Sequence, residues 1–245
     1  MNPETIRAIL KLNKEFYESV ADSFSDTRQY PWKGWGSAAE IISKNFREGK
    51  TLKILDVGCG NGRFLTFLEN SNYNINFSYL GVDNNLKLLD IAHISHKNSK
   101  VPFTFRDFNI DTELFKIKGR FDVITAFGIS HHIPGYENRL SWFNELTDKL
   151  DENGLLIVTF WKFSAHKKHD SPKISKVIID DLEKNDYFLG WMRDGKNQRY
   201  CHYFNTEELQ TIDNKLLKAG LKKVKEFESD RNKSSHNLYI IWRKM

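Results

Sequence analysis

Three acidic residues and one glycine-rich stretch in the first half of the chain have the types and spacing of a small-molecule site. In Ile54-Leu55-Asp56-Val57-Gly58-Cys59-Gly60-Asn61-Gly62-Arg63-Phe64 an apolar run leads into glycine at every second position and then into a helical pattern. Glycine removes Cβ atoms there, so a ligand can lie against the backbone. A dinucleotide fingerprint would read GxGxxG with a pyrophosphate at the helix N-terminus. GxGxG directly after an acidic residue suits a ligand without phosphate, of which S-adenosylmethionine is one. Asp83 ends the next apolar run, Tyr79-Leu80-Gly81-Val82-Asp83, where a carboxylate can accept hydrogen bonds from both ribose hydroxyls. Asp107 follows the third run, placed to accept a hydrogen bond from an adenine amino group, with Phe108 against the ring face. The expected cofactor wall is therefore Asp56, Gly58, Cys59, Gly60, Asn61, Gly62, Asp83, Asn84, Asp107 and Phe108, with Phe127 at the end of the fourth run. A lone glycine turn would read as a tight strand-to-helix connection, and three strand-end acids in order weigh against that. The Cys59 side chain itself reads as a small residue tolerated in the loop.

These residues need a scaffold that brings strand ends together. From Lys53 onward, short β-branched or aliphatic runs alternate with amphipathic stretches: Lys53–Val57, Ser78–Val82, Val101–Phe105, Phe121–Phe127 and Leu155–Phe160 predict strands. Gly62–Glu69, Asn84–Ser95 and Tyr136–Leu150 have helical spacing, and Asp151-Glu152-Asn153-Gly154 predicts a turn before the fifth strand. The alternation is that of a parallel sheet covered by helices on both faces. Past residue 205 the pattern becomes a helix capped by Thr206, the run Leu221–Phe227, a polar turn around Asp230–Ser235 and Asn237–Trp242, which is a helix followed by an antiparallel hairpin. Residues 1–47 predict a mostly helical cover broken at Gln29-Tyr30-Pro31-Trp32, and 162–204 a Lys/His-rich, aromatic-studded insertion on the substrate side.

With 245 residues, 40% of them hydrophobic, the chain can bury one substantial core, so a single domain over 1–245 is expected, with its cofactor-binding core at 50–160. The longest apolar runs fall far short of the roughly 20 residues a membrane span needs, which predicts a cytoplasmic protein with no membrane partner. Cys59 and Cys201 have no ligand spacing around them, so neither a disulfide framework nor a metal is expected. The net charge of +5 favours an anionic partner only mildly.

LDVGCGNGRF, GVD and FDVITAF followed by GISHHI resemble the class I S-adenosylmethionine-dependent methyltransferases over roughly residues 50–160. The resemblance implies a Rossmann-like, mainly parallel seven-stranded sheet with an antiparallel C-terminal hairpin. The flanks resemble a narrower family. Phe16 to Arg28 and Tyr30-Pro31-Trp32 are similar to the amino-terminal motif of the tRNA wobble-uridine carboxymethyl methyltransferases. His131-His132 and Arg199-Tyr200-Cys201-His202-Tyr203-Phe204 stand where that family has a paired histidine and an aromatic RYYH-like segment. The implied activity is methyl esterification of a carboxymethyl group on a tRNA wobble uridine, with a small activator protein as a further candidate partner. The chain departs from the family at Cys201, inside the aromatic segment, and at Asn205-Thr206-Glu207-Glu208-Leu209, where a Gly-Glu-Leu is usual.

Methyl transfer from a sulfonium is an in-line displacement, so alignment can supply most of the acceleration. A carboxylate acceptor is already ionised at neutral pH and needs no general base. The segment Gly128-Ile129-Ser130-His131-His132 lacks the Asn/Asp-Pro-Pro-aromatic motif of exocyclic-amine methylation. It also lacks the Pro-Cys pair of attack on a pyrimidine ring. His131, His132 and Arg28 are the candidate catalytic residues, although turn histidines and a salt-bridged helix end are the plainer alternatives. Arg28 and Tyr17 are also candidates for the cofactor, and Trp32, Arg199, Tyr200, His202 and Tyr203 for the acceptor, by phosphate contact or stacking, against the alternative of a half-exposed strand. A small-molecule O- or N-methyltransferase and a catalytically silent binding subunit remain the competing functions.

Overall fold

A computed structural model of the chain describes residues 1–109, 113–163, 176–190, 198–231 and 235–245. Much of the insertion at 162–204 and the tip of the C-terminal turn lie outside the described residues.

The amino-terminal cover is two helices, α1 (Pro3–Asp26) and α2 (Gly34–Asn45). The Asn2 side chain caps α1 by accepting from the amides of Glu4 and Thr5, ahead of a proline whose missing N–H costs nothing in the first turn. The core then alternates β1 (Thr51–Val57), α3 (Arg63–Glu69), β2 (Asn76–Asp83), α4 (Leu86–His96), β3 (Phe103–Asp107), β4 (Phe121–Ala126), α5 (Tyr136–Lys149) and β5 (Leu150–Phe163). A short α6 (Lys176–Asp180), the strand pair β6 (Asp186–Gly190) and β7 (Gln198–His202), α7 (Thr206–Lys218), β8 (Leu221–Ser229) and β9 (Ser235–Lys244) complete it.

Seven strands form one sheet in the order β3-β2-β1-β4-β5-β9-β8. The first five are parallel, and β9 runs antiparallel to both β5 and β8. Strand order reverses between β1 and β4, which opens a crevice at their carboxyl ends, the usual ligand position in such sheets. Period-2 alternation in β1 sends Leu55 and Val57 to one face, packed with Leu140 and Phe143 of α5 and Leu216 of α7. Leu52 and Ile54 go to the other, packed with Trp35 and Ile42 of α2, Phe64 and Leu65 of α3 and Leu89 of α4. A third, small cluster joins Ile9 of α1 to Phe188 of β6 and Tyr200 of β7.

Three details differ from expectation. The predicted turn at residues 151–154 lies inside β5. Pairing with β4 jumps from Phe121↔Leu150 to Val123↔Leu155, and Asn153 takes φ 61°, so the turn residues form a bulge within a longer strand. The cap of α7 is Asn205, whose side chain accepts from the Glu208 amide, and Thr206 is the first helical residue. The insertion at 162–204 contains the β6–β7 pair, which its mixed composition hid. Among the described residues no helix is long and apolar enough to cross a membrane.

Candidate active site

A cavity of about 400 Å³ lies over the carboxyl ends of β1, β2 and β4, within the range of small-molecule sites. The glycine loop forms its floor. Gly58 has φ 76°, a conformation that favours glycine, and a Cβ on it would also crowd Ile129 at 3.1 Å. Gly60 (φ 54°) is different: a Cβ there would meet only Leu88, at 4.0 Å, so the missing side chain leaves the backbone open toward the cavity. The loop is pinned from below. The Asp83 carboxylate accepts from the Gly60 amide and from the Asn85 amide, each at 2.9 Å, and the Val82 carbonyl accepts from the amides of Gly58 and Cys59. Burial raises the Asp83 pKa, and nearby Asp107 adds to that rise against the backbone hydrogen bonds.

Asp56 serves mainly as a tie. It is almost fully buried and accepts from the Tyr79 hydroxyl at 2.5 Å and from Thr125 at 2.7 Å. Cys59 turns its thiol into the core, where a Cβ on Gly81 would come within 2.9 Å of the sulfur, and burial pushes its pKa up. Asn61 donates to the Ser25 hydroxyl at 2.9 Å, which anchors the end of α1 to the loop.

Trp32, Trp35, Phe64 and Phe127 form an aromatic wall. The other end of the cavity is basic. Arg28 lies over the Phe24 ring at 3.8 Å, and burial with the charge of Arg199 pulls its pKa down to about 10. Arg199 is 8% exposed and sits between the rings of Phe16, at 5.2 Å, and Trp161, at 5.5 Å, against the Tyr17 hydroxyl and the Cys201 thiol. Arg63, half-buried, donates to the Tyr30 carbonyl at 2.8 Å.

The paired histidines have different environments. Both nitrogens of His132 are engaged: Nδ1 donates to the Tyr200 carbonyl at 2.8 Å and Nε2 accepts from the Tyr17 hydroxyl at 2.7 Å. Burial, with Arg199 nearby, lowers its pKa to about 3, so it is neutral and poorly placed to act as an acid or base. His131 also lines the cavity, buried against Trp161, and its Nδ1 has no hydrogen-bond partner among the described residues. His131, His132 and Cys201 bring ligand-type atoms within 4.8 Å of one another. The engaged nitrogens of His132 and the Arg199 charge against Cys201 oppose a cation there.

Of the expected residues, Tyr17, Arg28, Trp32, Asp56, Gly58, Cys59, Gly60, Asn61, Asp83, Asn84, Phe127, His131, His132 and Arg199 line this one cavity. Gly62 does not line it: it is packed close to His96, Phe105 and Ala92 and caps the start of α3 in the left-handed conformation. Five others sit elsewhere. Asp107 is exposed at the end of the edge strand β3, and Phe108 packs onto the α5 face of the core. Strand alternation turns Tyr200 and His202 away from Arg199 into a buried network. There both contact Asp186, at 2.7 and 2.6 Å, and His202 also reaches Glu208, which pairs with Arg139. Burial alone would lower the His202 pKa, and its two carboxylate partners raise it. Tyr203 packs edge-on against Phe163. Sequence reasoning missed Arg63, Trp35 and Trp161. Trp161 was accessible, since it lies on the carboxyl-terminal stretch of a strand, where ligands bind in this architecture.

The topology and crevice are those of the class I methyltransferase fold. Residues 28–226 match the family described as Methyltransferase domain, and the chain belongs to that family; it is an S-adenosylmethionine-dependent methyltransferase. A tRNA (carboxymethyluridine(34)-5-O)-methyltransferase of Xenopus tropicalis is 27% identical over 161 residues, 65% of this chain and 22% of that protein, so the chain spans about a fifth of the frog protein. The enzyme of the same name from Schizosaccharomyces pombe is 26% identical over 226 residues, covering 84% of this chain and 90% of the yeast protein. A carboxy-S-adenosyl-L-methionine synthase of Campylobacter jejuni is 26% identical over 235 residues, 91% of this chain and 93% of that one. Among solved structures, a methyltransferase from Methanosarcina mazei superposes with a TM-score of 0.61 at 20% identity, covering 84% and 97% of the two chains.

Proposed function

We propose that this enzyme esterifies a carboxylate, the carboxymethyl group of a tRNA wobble uridine, with the methyl group of S-adenosylmethionine. The observation that carries the proposal is Arg199, a buried guanidinium held between two aromatic rings at the basic end of the cavity. At that depth it suits a small anion entering the site better than phosphates passing over the surface, and a planar fork matches a carboxylate.

The residues fit the cofactor: the open backbone at Gly60 gives a surface to lie on, and Asp83 keeps lone pairs for ribose hydroxyls beyond those used by the loop. When bound, the cofactor supplies an electrophilic methyl group on a sulfonium. Arg199, with Trp161 and His131 beside it, would orient the acceptor carboxylate. Arg199 would hold the acceptor so that one carboxylate oxygen faces the methyl group the cofactor would supply, the S–CH3 electron pair staying with sulfur. No proton moves, so a neutral, fully engaged His132 is no obstacle.

The test is methyl transfer by the purified enzyme to tRNA carrying carboxymethyluridine and to tRNA lacking it. The expected result is labelling of the first alone, steeply weakened by salt because phosphate contacts release counterions, with the label freed as methanol by mild alkali. Alkali-stable label, or equal labelling of both, overturns the acceptor assignment.

A second reading follows from the same arginine. Its burial in the same cavity as the glycine loop also suits a carboxylate carried by the cofactor itself, as in the product named for the Campylobacter relative. Calorimetry with carboxy-S-adenosylmethionine separates the two. Tighter binding than S-adenosylmethionine that disappears in Arg199→Ala, without ester formation on tRNA, favours the second.

A further inference from the structure

Asn13 carries no signal in the sequence, yet it occupies the joint between the amino-terminal helix and the basic end of the cavity. Its side chain is buried on α1 and meets the Tyr200 backbone on β7, 187 positions away. The Tyr200 amide donates to Asn13 Oδ1 at 2.7 Å, and Asn13 Nδ2 donates to the Tyr200 carbonyl at the longer distance of 3.4 Å. That same carbonyl accepts from His132 Nδ1 at 2.8 Å. A carbonyl can only accept, so the proton of neutral His132 sits on Nδ1 and Nε2 is left to accept from Tyr17. Asn13 Nδ2 also lies 3.5 Å from His132 Nδ1; with a proton on each nitrogen this is a contact and not a bond. The Tyr17 hydroxyl, its proton directed to His132, turns a lone pair to Arg199.

We propose that Asn13 is a positioning residue for the acceptor end of the site: by clamping the Tyr200 peptide it fixes the His132 tautomer, and through Tyr17 it sets the orientation of Arg199. The inference rests on the carboxylate-acceptor reading above. Among the described residues Asn13 contacts neither the glycine loop nor Asp83, so its loss should leave the cofactor's main hold in place. The groups facing His132 are Asn13 and Tyr17 from α1, His131 on its own turn, and Arg199 and Cys201 from β7. None of them is a carboxylate, and burial with the Arg199 charge keeps the ring neutral.

The experiment compares wild type, Asn13→Ala and Asn13→Asp by ¹⁵N NMR of the His132 ring, by calorimetry with S-adenosylhomocysteine, and by methyl transfer to carboxymethyluridine tRNA. Wild type should show a single Nδ1-protonated tautomer without any acceptor present. Asn13→Ala should lose that uniform tautomer and raise the acceptor KM about tenfold, the scale of one lost hydrogen bond, with the S-adenosylhomocysteine Kd changed less than twofold. Asn13→Asp keeps an acceptor for the Tyr200 amide and so guards against misfolding of the alanine variant. Its carboxylate beside His132 should draw a second proton onto the ring near neutral pH. An acid limb absent from wild type should then appear in kcat/KM. An unchanged His132 tautomer in both variants, or equal weakening of cofactor and acceptor, overturns the proposal. If wild type methylates no tRNA, the acceptor reading fails, and the NMR and calorimetry still decide whether Asn13 sets the tautomer.

Discussion

The Tyr79 hydroxyl on β2 donates to Asp56 on β1 at 2.5 Å, and Thr125 on β4 donates to the other carboxylate oxygen at 2.7 Å, so one buried acid ties three adjacent strands where the cavity opens. Burial pushes the Asp56 pKa up to about 6, outweighing these two hydrogen bonds. Its pKa in the unfolded chain is lower, so between pH 4 and 6 the folded state holds the extra proton. Ionised Asp56 therefore costs stability at neutral pH, and the cost is relieved as pH falls through 6. In urea unfolding, wild type should gain about 1 kcal/mol on Asp56→Asn between pH 7 and pH 5. Parallel pH profiles would show that the carboxylate titrates normally.

Asp83 holds the loop and faces the cavity. Asp83→Ala should weaken S-adenosylhomocysteine binding in calorimetry by about 2 kcal/mol, roughly 30-fold, through loss of hydrogen bonds to a charged group. Unchanged affinity would remove Asp83 from the cofactor wall.

Arg28 projects into the cavity from just beyond the end of α1, over Phe24 and near Arg199. Arg28→Ala should lower turnover at least tenfold, about 1.4 kcal/mol in transition-state stabilisation, with an unchanged circular dichroism spectrum. Full activity would reduce the segment to a cover.

Gly34 begins α2 under the Tyr239 ring. A Cβ there would lie 2.4 Å from that ring, which is stacked on Phe227 and held through its hydroxyl by Asp230, so it has little room to swing. Gly34→Ala should cost about 1–3 kcal/mol, lowering Tm by roughly 3–10 °C. Gly36→Ala, whose Cβ would meet nothing closer than 3.5 Å, is the control and should unfold near the wild-type temperature.

What the sequence determined by itself was local. The glycine loop, the strand-end acid Asp83 and the alternation of strands with helices are written in short stretches of sequence, because a turn needs its glycines within a few residues and an amphipathic face repeats within a few positions. That seven strands form one mainly parallel sheet with an antiparallel hairpin came only through family resemblance, and their order came from the structure, since no local pattern states which strand pairs with which. The basic end of the cavity was decided by tertiary structure. Tyr17, His132 and Arg199 are far apart in the chain and meet because α1 packs against β7. The segment Arg199 to His202 puts Arg and Cys on one side of a strand and Tyr and His on the other, all types that occur in sites, so composition does not say which side faces the ligand. The pairing of β7 with β6 and the packing of Ile9 on Tyr200 resolve it: Arg199 and Cys201 turn inward, and Tyr200 and His202 turn to Asp186. A one-residue shift of that register would exchange the two pairs, and the energy that sets the register lies in contacts between segments that no window of sequence contains.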